Sequence, residues 1–370
     1  MKGALWTLLA AHVVTGWGTQ WDIQWHLTIG RDSFWIAPHV MTYSGVTAIV
    51  LVSFGVLAWT TLRARRGEAR PEWVRIFGIT GPPGYLVAAG GIALTVLAAP
   101  IDDLWHRLFG LDVTLWSPPH LLGLFGGIAN AAACALIAME THPRASRARL
   151  AAIIFAGVLV YGGLGVGVQP AVRIGYTYGG VAFFLYPMLA ALFLPLALVT
   201  AARLTHARLA PLAVVVVMVV LSTMGTFIAR AGFAWLQPQS FLSEEIAKDP
   251  TSPIAVTHEI ARKNGMAPGG HMARIILLAP LAAAVMSLVD PRRRPVTAGA
   301  AYGVTMFVAV GFTLARLPAF AQSLPTAIET TVALAATVIA GLAGGALAAR
   351  MVRGDDVLVP VAVPLKIGGS

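Results

Sequence analysis

Charged residues are scarce in this chain of 370 residues: Asp, Glu, Lys and Arg make up 11% of it, whereas hydrophobic residues make up 57%. A soluble protein carries about 25% charged residues, so a water-soluble globular domain is excluded. Disorder is excluded too, because the glycines and prolines are scattered among long apolar runs. The composition therefore predicts an all-α fold, a polytopic bundle of transmembrane helices whose partner is the lipid bilayer.

Cysteine is almost absent, and Cys134, the only one, falls within an apolar run. The chain can therefore form no intrachain disulfide, no zinc finger and no thiolate cluster. It also lacks the Met-rich segments outside the membrane that would suit a Cu(I) carrier. No P-loop, dinucleotide fingerprint or Ser/His/Asp pattern is present. Glycine-rich stretches such as 162–167 lie inside apolar runs, where they predict close packing between helices.

About ten membrane spans are expected from runs of about 20 apolar residues. They lie near 4–20, 37–61, 82–101, 119–139, 150–168, 180–201, 210–230, 272–289, 297–315 and 327–349. The first could be mistaken for a secretory signal, but no small-x-small cleavage site follows it, so we interpret it as a helix. An even number of spans places both termini on one side of the membrane.

Positive residues cluster between these spans, and the net charge is +10. The clusters lie at 63–66, 144–149, 203–208, 292–294 and 350–353. If the N-terminus is cytoplasmic, every cluster falls inside, as the positive-inside rule requires. The sequence thus predicts a protein of the cytoplasmic membrane with both termini in the cytoplasm. The same pattern argues against a nucleic-acid partner.

Two segments on the predicted outer side are copies of one another. With one inserted residue they align Asp22 with Asp102, Trp25 with Trp105, His26 with His106, Gly30 with Gly110, Asp32 with Asp112, Trp35 with Trp116, Pro38 with Pro119, His39 with His120 and Gly45 with Gly126. Aspartate and histidine are among the residue types that composition would make rarest here, so chance is a poor explanation.

This duplication predicts the organisation of the chain. Residues 1–139 form two helical hairpins that carry the motif, repeat 1 over about 4–61 and repeat 2 over about 82–139. Additional transmembrane helices follow over 140–353, with an extracytoplasmic loop at 231–271. A short cytoplasmic tail over 354–370 completes the expected order.

The spacing predicts that each copy gathers three ionisable side chains at the outer end of its hairpin. Asp22 and His26 are four residues apart, so on a helix they share one face. Pro38 precedes His39, which places this histidine near the first turn of the next span. Asp102, His106 and His120 repeat the pattern. Because both hairpins have the same orientation, we expect a parallel repeat with both clusters on the extracytoplasmic side.

Two histidines and one carboxylate form a ligand set suited to copper, non-haem iron or zinc, with positions left open for oxygen, water or substrate. Asp32 and Asp112 are candidate acceptors that orient a ligating imidazole. The tryptophans of the motif are expected to shield each cluster and anchor it at the interface: Trp25, Trp35, Trp105 and Trp116. A proton relay and a purely structural polar network are the alternatives, although ionisable groups near a bilayer are costly and usually functional.

The stretch from Asp22 to His39 resembles the metal-binding signature of the C subunit of copper membrane monooxygenases, the family that includes particulate methane and ammonia monooxygenases. The matching positions are Asp22, Trp25, His26, Thr28, Arg31, Asp32 and His39. The resemblance implies copper as the metal and ligand roles for Asp22, His26 and His39. It covers about twenty residues. The second copy matches less closely, because His106 and His120 stand one residue further apart and Leu111 replaces Arg31.

The resemblance also implies a function, that of a monooxygenase-like oxidoreductase or a subunit of one, with partner subunits and a small apolar substrate. The family's C subunit has fewer spans and one such motif, and nothing here looks like the soluble copper domain of its B subunit. A non-catalytic copper protein for loading, storage or assembly is the main alternative. A haem protein is disfavoured by the prolines before His39 and His120, and a transporter by ionisable residues clustered away from the midplane.

Other polar residues lie outside the two motifs. His258 and His271 are weaker ligand candidates in the outer loop, where histidines are more often solvated. His12 lies inside the first span and predicts polar packing within the bundle. His142 and His206 are expected at the surface beside arginine clusters. The arginines at outer span ends are expected to snorkel to the interface: Arg173, Arg230 and Arg316.

Overall fold

The computed structural model describes residues 1–30, 33–109, 115–353 and 356–357, except for the side chains of His106 and of residues 353, 356 and 357. Thirteen α-helices dominate these ranges. They are α1 (Lys2–Thr28), α2 (Ala37–Arg65), α3 (Pro83–Phe109), α4 (Pro118–Thr141), α5 (Arg147–Val168), α6 (Pro170–Tyr178), α7 (Leu185–Thr205), α8 (Ala210–Leu236), α9 (Leu242–Lys248), α10 (Pro253–Lys263), α11 (Gly270–Val289), α12 (Pro295–Ala315) and α13 (Ala327–Met351). Short 3₁₀ helices cover Gly180–Phe184 and Pro318–Ser323. The chain is therefore all-helical apart from two short strand pairs.

Nine helices in the described ranges are long and apolar enough to cross a membrane by length and composition. They are Ala37–Arg65, Pro83–Phe109, Pro118–Thr141, Arg147–Tyr178, Gly180–Thr205, Ala210–Leu236, Gly270–Val289, Pro295–Ala315 and Ala327–Met351. Nine of the ten predicted spans coincide with them, as expected of an integral membrane protein. The tenth, predicted near 4–20, falls within α1, which is not among the nine.

Helix α1 is 27 residues long, and its polar side chains, which lower its hydropathy, bond to neighbouring helices. His12 Nε2 lies 2.6 Å from Asn130 Oδ1 of α4, the polar packing predicted for this histidine. Trp17 Nε1 donates to the carbonyl of Leu221 in α8 at 2.9 Å. Gln20 Nε2 donates to the next carbonyl of α8 at 2.9 Å. These bonds hold α1 between two helices that are apolar enough to span the bilayer.

Glycines set the packing within the first two helical hairpins. A Cβ at Gly45 of α2 would collide with Thr15 of α1. A Cβ at Gly126 of α4 would lie 2.6 Å from Thr95 Oγ1 and 2.6 Å from the carbonyl oxygen of Gly91 in α3. Each pair of helices therefore packs backbone against backbone, which small residues permit in membrane bundles.

Four segments differ from the sequence-based expectation or refine it. A β-hairpin, β1 (Val74–Ile76) paired with β2 (Ile79–Gly81), joins α2 to α3 and was not predicted. Residues 169–179, which separate two predicted spans, are largely helical as α6. The segment 231–271, predicted as a loop, contains the short helices α9 and α10. Of the predicted tail, only residues 356–357 are described; they form β4 (Asp356–Val357), paired with β3 (Val352–Arg353).

Buried apolar side chains form two clusters that meet along α5. One joins α1 to α4 with the first half of α5, around Leu8, Ile92 and Ile137. The other joins the second half of α5 to α7, α11, α12 and α13, around Leu198 and Tyr302. The bundle is thus continuous from the first two helical hairpins to the later helices.

The helix ends form two opposite faces of the bundle. One, which we call the basic end, carries the predicted arginine clusters. There Tyr85 Oη donates to the carbonyl of Met1 at 2.9 Å, and Arg144, Arg203 and Val352 line one cavity. The other, which we call the motif end, holds the last turns of α1 and α3 and the first turns of α2 and α4. Both copies of the Asp/His motif therefore lie at the same end.

Candidate metal centre

The first predicted ligand set comes together where α1 ends and α2 begins. Asp22 Oδ1 lies 3.2 Å from His39 Nε2 and 3.7 Å from His26 Nε2. Asp22 and His26 share one face of α1 because they are four residues apart. Pro38 occupies the first turn of α2, as the sequence predicted, and presents the neighbouring His39 to that face. About a fifth to a quarter of each of the three side chains is exposed.

The carboxylate of Asp22 has a buried oxygen close to two histidine rings that makes no hydrogen bond with either of them. Its Oδ1 is buried and accepts no hydrogen bond from any described residue, although two imidazole nitrogens face it. Two ligand atoms bound at about 2.0–2.1 Å to one tetrahedral ion stand about 3.3 Å apart. The contact with His39 matches that separation, whereas the contact with His26 is a few tenths of an ångström longer. The spacing of Asp22 and His39 therefore fits two ligands of one metal ion, whereas His26 stands slightly outside that spacing.

The set is not a preformed site. Within the described part of the chain, no group of three or more His, Cys, Asp and Glu side chains qualifies as able to hold a metal ion. The contact between Asp22 and His26 is the longer of the two, at 3.7 Å. A small shift of the His26 ring toward Asp22 would bring this contact to the separation that two ligands of one ion require.

The second ligand set is described in part. His120 Nε2 lies 3.3 Å from Asp102 Oδ1, and about a third of each side chain is exposed. This is the counterpart of the contact between Asp22 and His39. The side chain of His106 lies outside the described residues, as do the predicted acceptors Asp32 and Asp112. The geometry of the second set thus rests on its aspartate and its second histidine.

The tryptophans of the motif have different surroundings. Trp25 is 7% exposed and stacks on Phe233 of α8, with ring centroids 5.7 Å apart. Trp35 is 74% exposed, and its ring lies 4.8 Å from that of Phe34. Trp116 donates from Nε1 to the carbonyl of Gly167 in α5 at 2.7 Å. Trp25 is therefore enclosed beside the first set, while Trp116 fastens the second hairpin to α5.

An aromatic group beside His39 was not predicted. The Tyr43 ring lies 5.6 Å from the His39 ring and 5.1 Å from that of Phe34. Trp35 completes the group, with its ring 6.4 Å from Tyr43. The spacing of His39 and Tyr43, one helical turn apart, was the available signal. These rings form an apolar wall next to the first ligand set.

The outer segment 231–271 covers the end of α1, which the sequence also did not reveal. The carbonyls in the last turn of a helix have no partner inside it. Here Ser240 Oγ donates to Thr28 O at 2.7 Å. His258 Nε2 lies 2.8 Å from Leu27 O. The turn that carries His26 is therefore held by two side chains from a distant segment.

The remaining candidate residues do not join either set. His258 uses its Nε2 in the contact with Leu27, so that nitrogen is not directed at a metal ion. His271 is 5% exposed and buried at the start of α11. His206 is exposed, as predicted, but His142 is 8% exposed, which corrects the expectation that it lies at the surface. Thr141 lies 2.9 Å from its Nδ1 and satisfies one polar atom of the buried ring.

Comparison with protein-family models, with curated proteins and with solved structures gives no match. The resemblance to the C subunit of copper membrane monooxygenases therefore rests on the residues of the motif alone. The geometry of Asp22, His26 and His39 is independent of that resemblance.

Proposed function

We propose that this integral membrane protein binds a transition metal ion, copper in particular, through Asp22, His26 and His39. The observation that carries the proposal is the Asp22 carboxylate, whose buried Oδ1 faces two imidazole nitrogens and accepts no hydrogen bond from the described residues. A buried polar atom ordinarily has a partner. A cation shared by the carboxylate and both rings would satisfy it.

A second site of the same kind is part of the proposal, held by Asp102, His106 and His120. The glycine contacts support the duplication. Gly45 meets Thr15, and Gly126 meets Thr95. Thr15 of α1 and Thr95 of α3 are 80 residues apart in the sequence, whereas Gly45 of α2 and Gly126 of α4 are 81 apart. The difference of one residue is the single insertion in the alignment of the two motifs. Pairs of contacts outside the motif therefore follow the same alignment as the motif itself.

Copper is the metal we propose because of the resemblance described above, and iron or zinc would suit the same ligands less specifically. Bound copper would supply one-electron redox chemistry. The residues of the chain hold it, and the aromatic wall of Phe34, Trp35 and Tyr43 keeps one side of the site apolar. On this basis we propose a monooxygenase-like oxidoreductase or a subunit of one. A small apolar substrate would reach the site from the bilayer, and partner subunits would complete the enzyme.

The proposed orientation follows from the two ends of the bundle. Arginine clusters gather at the basic end, which the positive-inside rule assigns to the cytoplasm. The motif end then faces the extracytoplasmic side of the cytoplasmic membrane. With α1 as a tenth span, both termini are cytoplasmic.

Metal quantification with electron paramagnetic resonance tests the proposal on protein purified from copper-replete cells. We expect about two copper ions per chain, one fewer in His26→Ala and one fewer in His106→Ala. His206→Ala is the matched control, because His206 is an exposed histidine at the basic end, and it should keep both ions. A wild-type chain without bound copper, or losses as large in the control, would overturn the proposal.

Oxygen uptake with a reductant and a small apolar substrate then tests the redox role. We expect uptake that depends on copper and falls in His26→Ala. Copper binding without any uptake, alone or with co-purified subunits, would reject the oxidoreductase and leave the non-catalytic role in copper loading or storage.

A further inference from the structure

The β-hairpin between α2 and α3 leaves apolar side chains partly or fully exposed. Val74, Ile76 and Ile79 are each nearly two-fifths exposed, and Phe77 at the tip is fully exposed. Successive side chains of a strand point to opposite faces. The pairing of Ile76 with Ile79 and of Val74 with Gly81 therefore puts these residues on one face. Arg75, paired with Thr80, lies on the other.

The turn of this hairpin places an aromatic ring where glycine or asparagine is usual. Phe77 has φ 49° and Gly78 has φ 81°. Two-residue hairpin turns with both central residues in the left-handed region favour Asn-Gly. A bulky residue there is strained by about 1 kcal/mol. The Phe77 ring packs against no other part of the hairpin, so nothing within the chain offsets this strain. We therefore expect the ring to contact something outside the chain.

The hairpin is fixed to α2 near the end of that helix. Thr60 Oγ1 donates to the carbonyl of Thr80 at 2.7 Å, and the backbone of Gly81 lies against Leu57. The ring of Trp73 lies 6.5 Å from that of Trp59, which is 45% exposed on a membrane-spanning helix. The apolar face of the hairpin, which includes Gly81, is thus the face nearest the body of the span. Tryptophans at this level are typical of the membrane interface.

Positive charge surrounds the hairpin. Residues 62–82 contain five arginines and two glutamates, which leaves a net charge of +3. Arg63 pairs with Glu68, and Arg70 approaches Glu72. Three further arginines make no ion pair with any described residue: Arg65, Arg66 and Arg75. Basic segments next to a transmembrane helix attract anionic lipid headgroups.

We propose that this hairpin is a lipid-binding finger that rests in the bilayer interface at the basic end. Phe77 and the apolar face enter the headgroup region, and the three arginines bind anionic phospholipid of the same leaflet. Charge complementarity and continuity with α2 and α3 identify the partner as an anionic bilayer surface. The finger acts independently of metal binding at the opposite end.

Site-directed spin labelling in nanodiscs tests the depth of the finger. The background is Cys134→Ala, since the native cysteine is buried. One label replaces Phe77, and the matched control replaces Ala69, an exposed residue of the same connection. In nanodiscs that contain phosphatidylglycerol, the label at 77 should collide more with oxygen than with a water-soluble nickel complex, and the label at 69 should do the reverse. A label at 77 as accessible to nickel as the label at 69 would overturn the proposal.

Lipid selectivity tests the arginines. In Arg65→Gln/Arg66→Gln/Arg75→Gln, the preference for spin-labelled phosphatidylglycerol over phosphatidylcholine should fall at least about fivefold, because each charge near the surface adds to the attraction. Arg293→Gln/Arg294→Gln, two exposed arginines at the same end, should change the preference much less. Equal losses in both variants would mean that the finger has no specific part in lipid binding. The elution volume in size-exclusion chromatography and the helical content should stay unchanged in both variants, so that misfolding is detected separately.

Discussion

The two copies of the motif share their sequence pattern and their aspartate–histidine contact, yet their surroundings differ. In the first copy Trp25 is 7% exposed, and the side chain of His39 is 19% exposed. In the second copy the side chain of His120 is 32% exposed, and Trp105, the counterpart of Trp25, is only half-buried. The same motif is therefore more enclosed by protein in the first copy than in the second.

The difference comes from helices that only one copy contacts. Helix α8 packs against α1 and brings Phe233 onto Trp21 and Trp25. The outer segment then adds Ser240 and His258 to the last turn of α1. The two hairpins thus carry the same Asp/His pattern, while helices later in the chain enclose the first copy more than the second. We expect the first site to bind metal more tightly and release it more slowly.

Replacing the aspartates gives the largest expected effect and tests whether the copies are independent. Asp22→Asn removes a charged ligand, so the affinity of the first site for copper should fall more than about 100-fold, beyond the usual loss for an outer partner. Asp102→Asn should do the same to the second site. Copper titration monitored by paramagnetic resonance measures both. Loss of both ions in either variant would mean that the copies form one shared site.

Enlarging the packing glycines comes next. Gly45→Val and Gly126→Val place methyl groups against a neighbouring helix, so each should lower the free energy of unfolding by about 1–3 kcal/mol. Gly16→Val and Gly127→Val are matched controls, because no atom of another residue lies near a Cβ at these positions. Denaturation in mixed micelles measures the change. Equal losses in controls and test variants would contradict the close packing described for both hairpins.

Removing the cap on α1 should affect the first copy alone and by the smallest amount. His258→Leu deletes one hydrogen bond to the turn that carries His26, which is worth about 1 kcal/mol. Copper affinity of the first site should fall several-fold, with faster amide exchange over the last turn of α1. The second site should not change. A weaker second site would show that the outer segment supports both copies.

Much of the architecture could be predicted from the chain because hydropathy identifies membrane spans directly. The approach of His39 to Asp22 was likewise predictable, since proline fixes where α2 begins and helical spacing fixes the face. The β-hairpin could not be predicted, because its strands are only three residues long and show little alternation of polar and apolar residues. The contact of His258 with the end of α1 could not be predicted either, because the two residues are 231 positions apart and no local pattern links them.

Helix α1 has a consequence for biogenesis. It is synthesised before α8, yet it is not among the helices apolar enough to cross a membrane on composition. Its indole and amide groups find their acceptors on α8, about 204 residues later in synthesis. The hydrogen bonds of Trp17 and Gln20 to α8 can therefore form only after α8 has been made. The turn of α1 that carries Asp22 reaches its final packing against Phe233 late in synthesis, although it is encoded well before that helix.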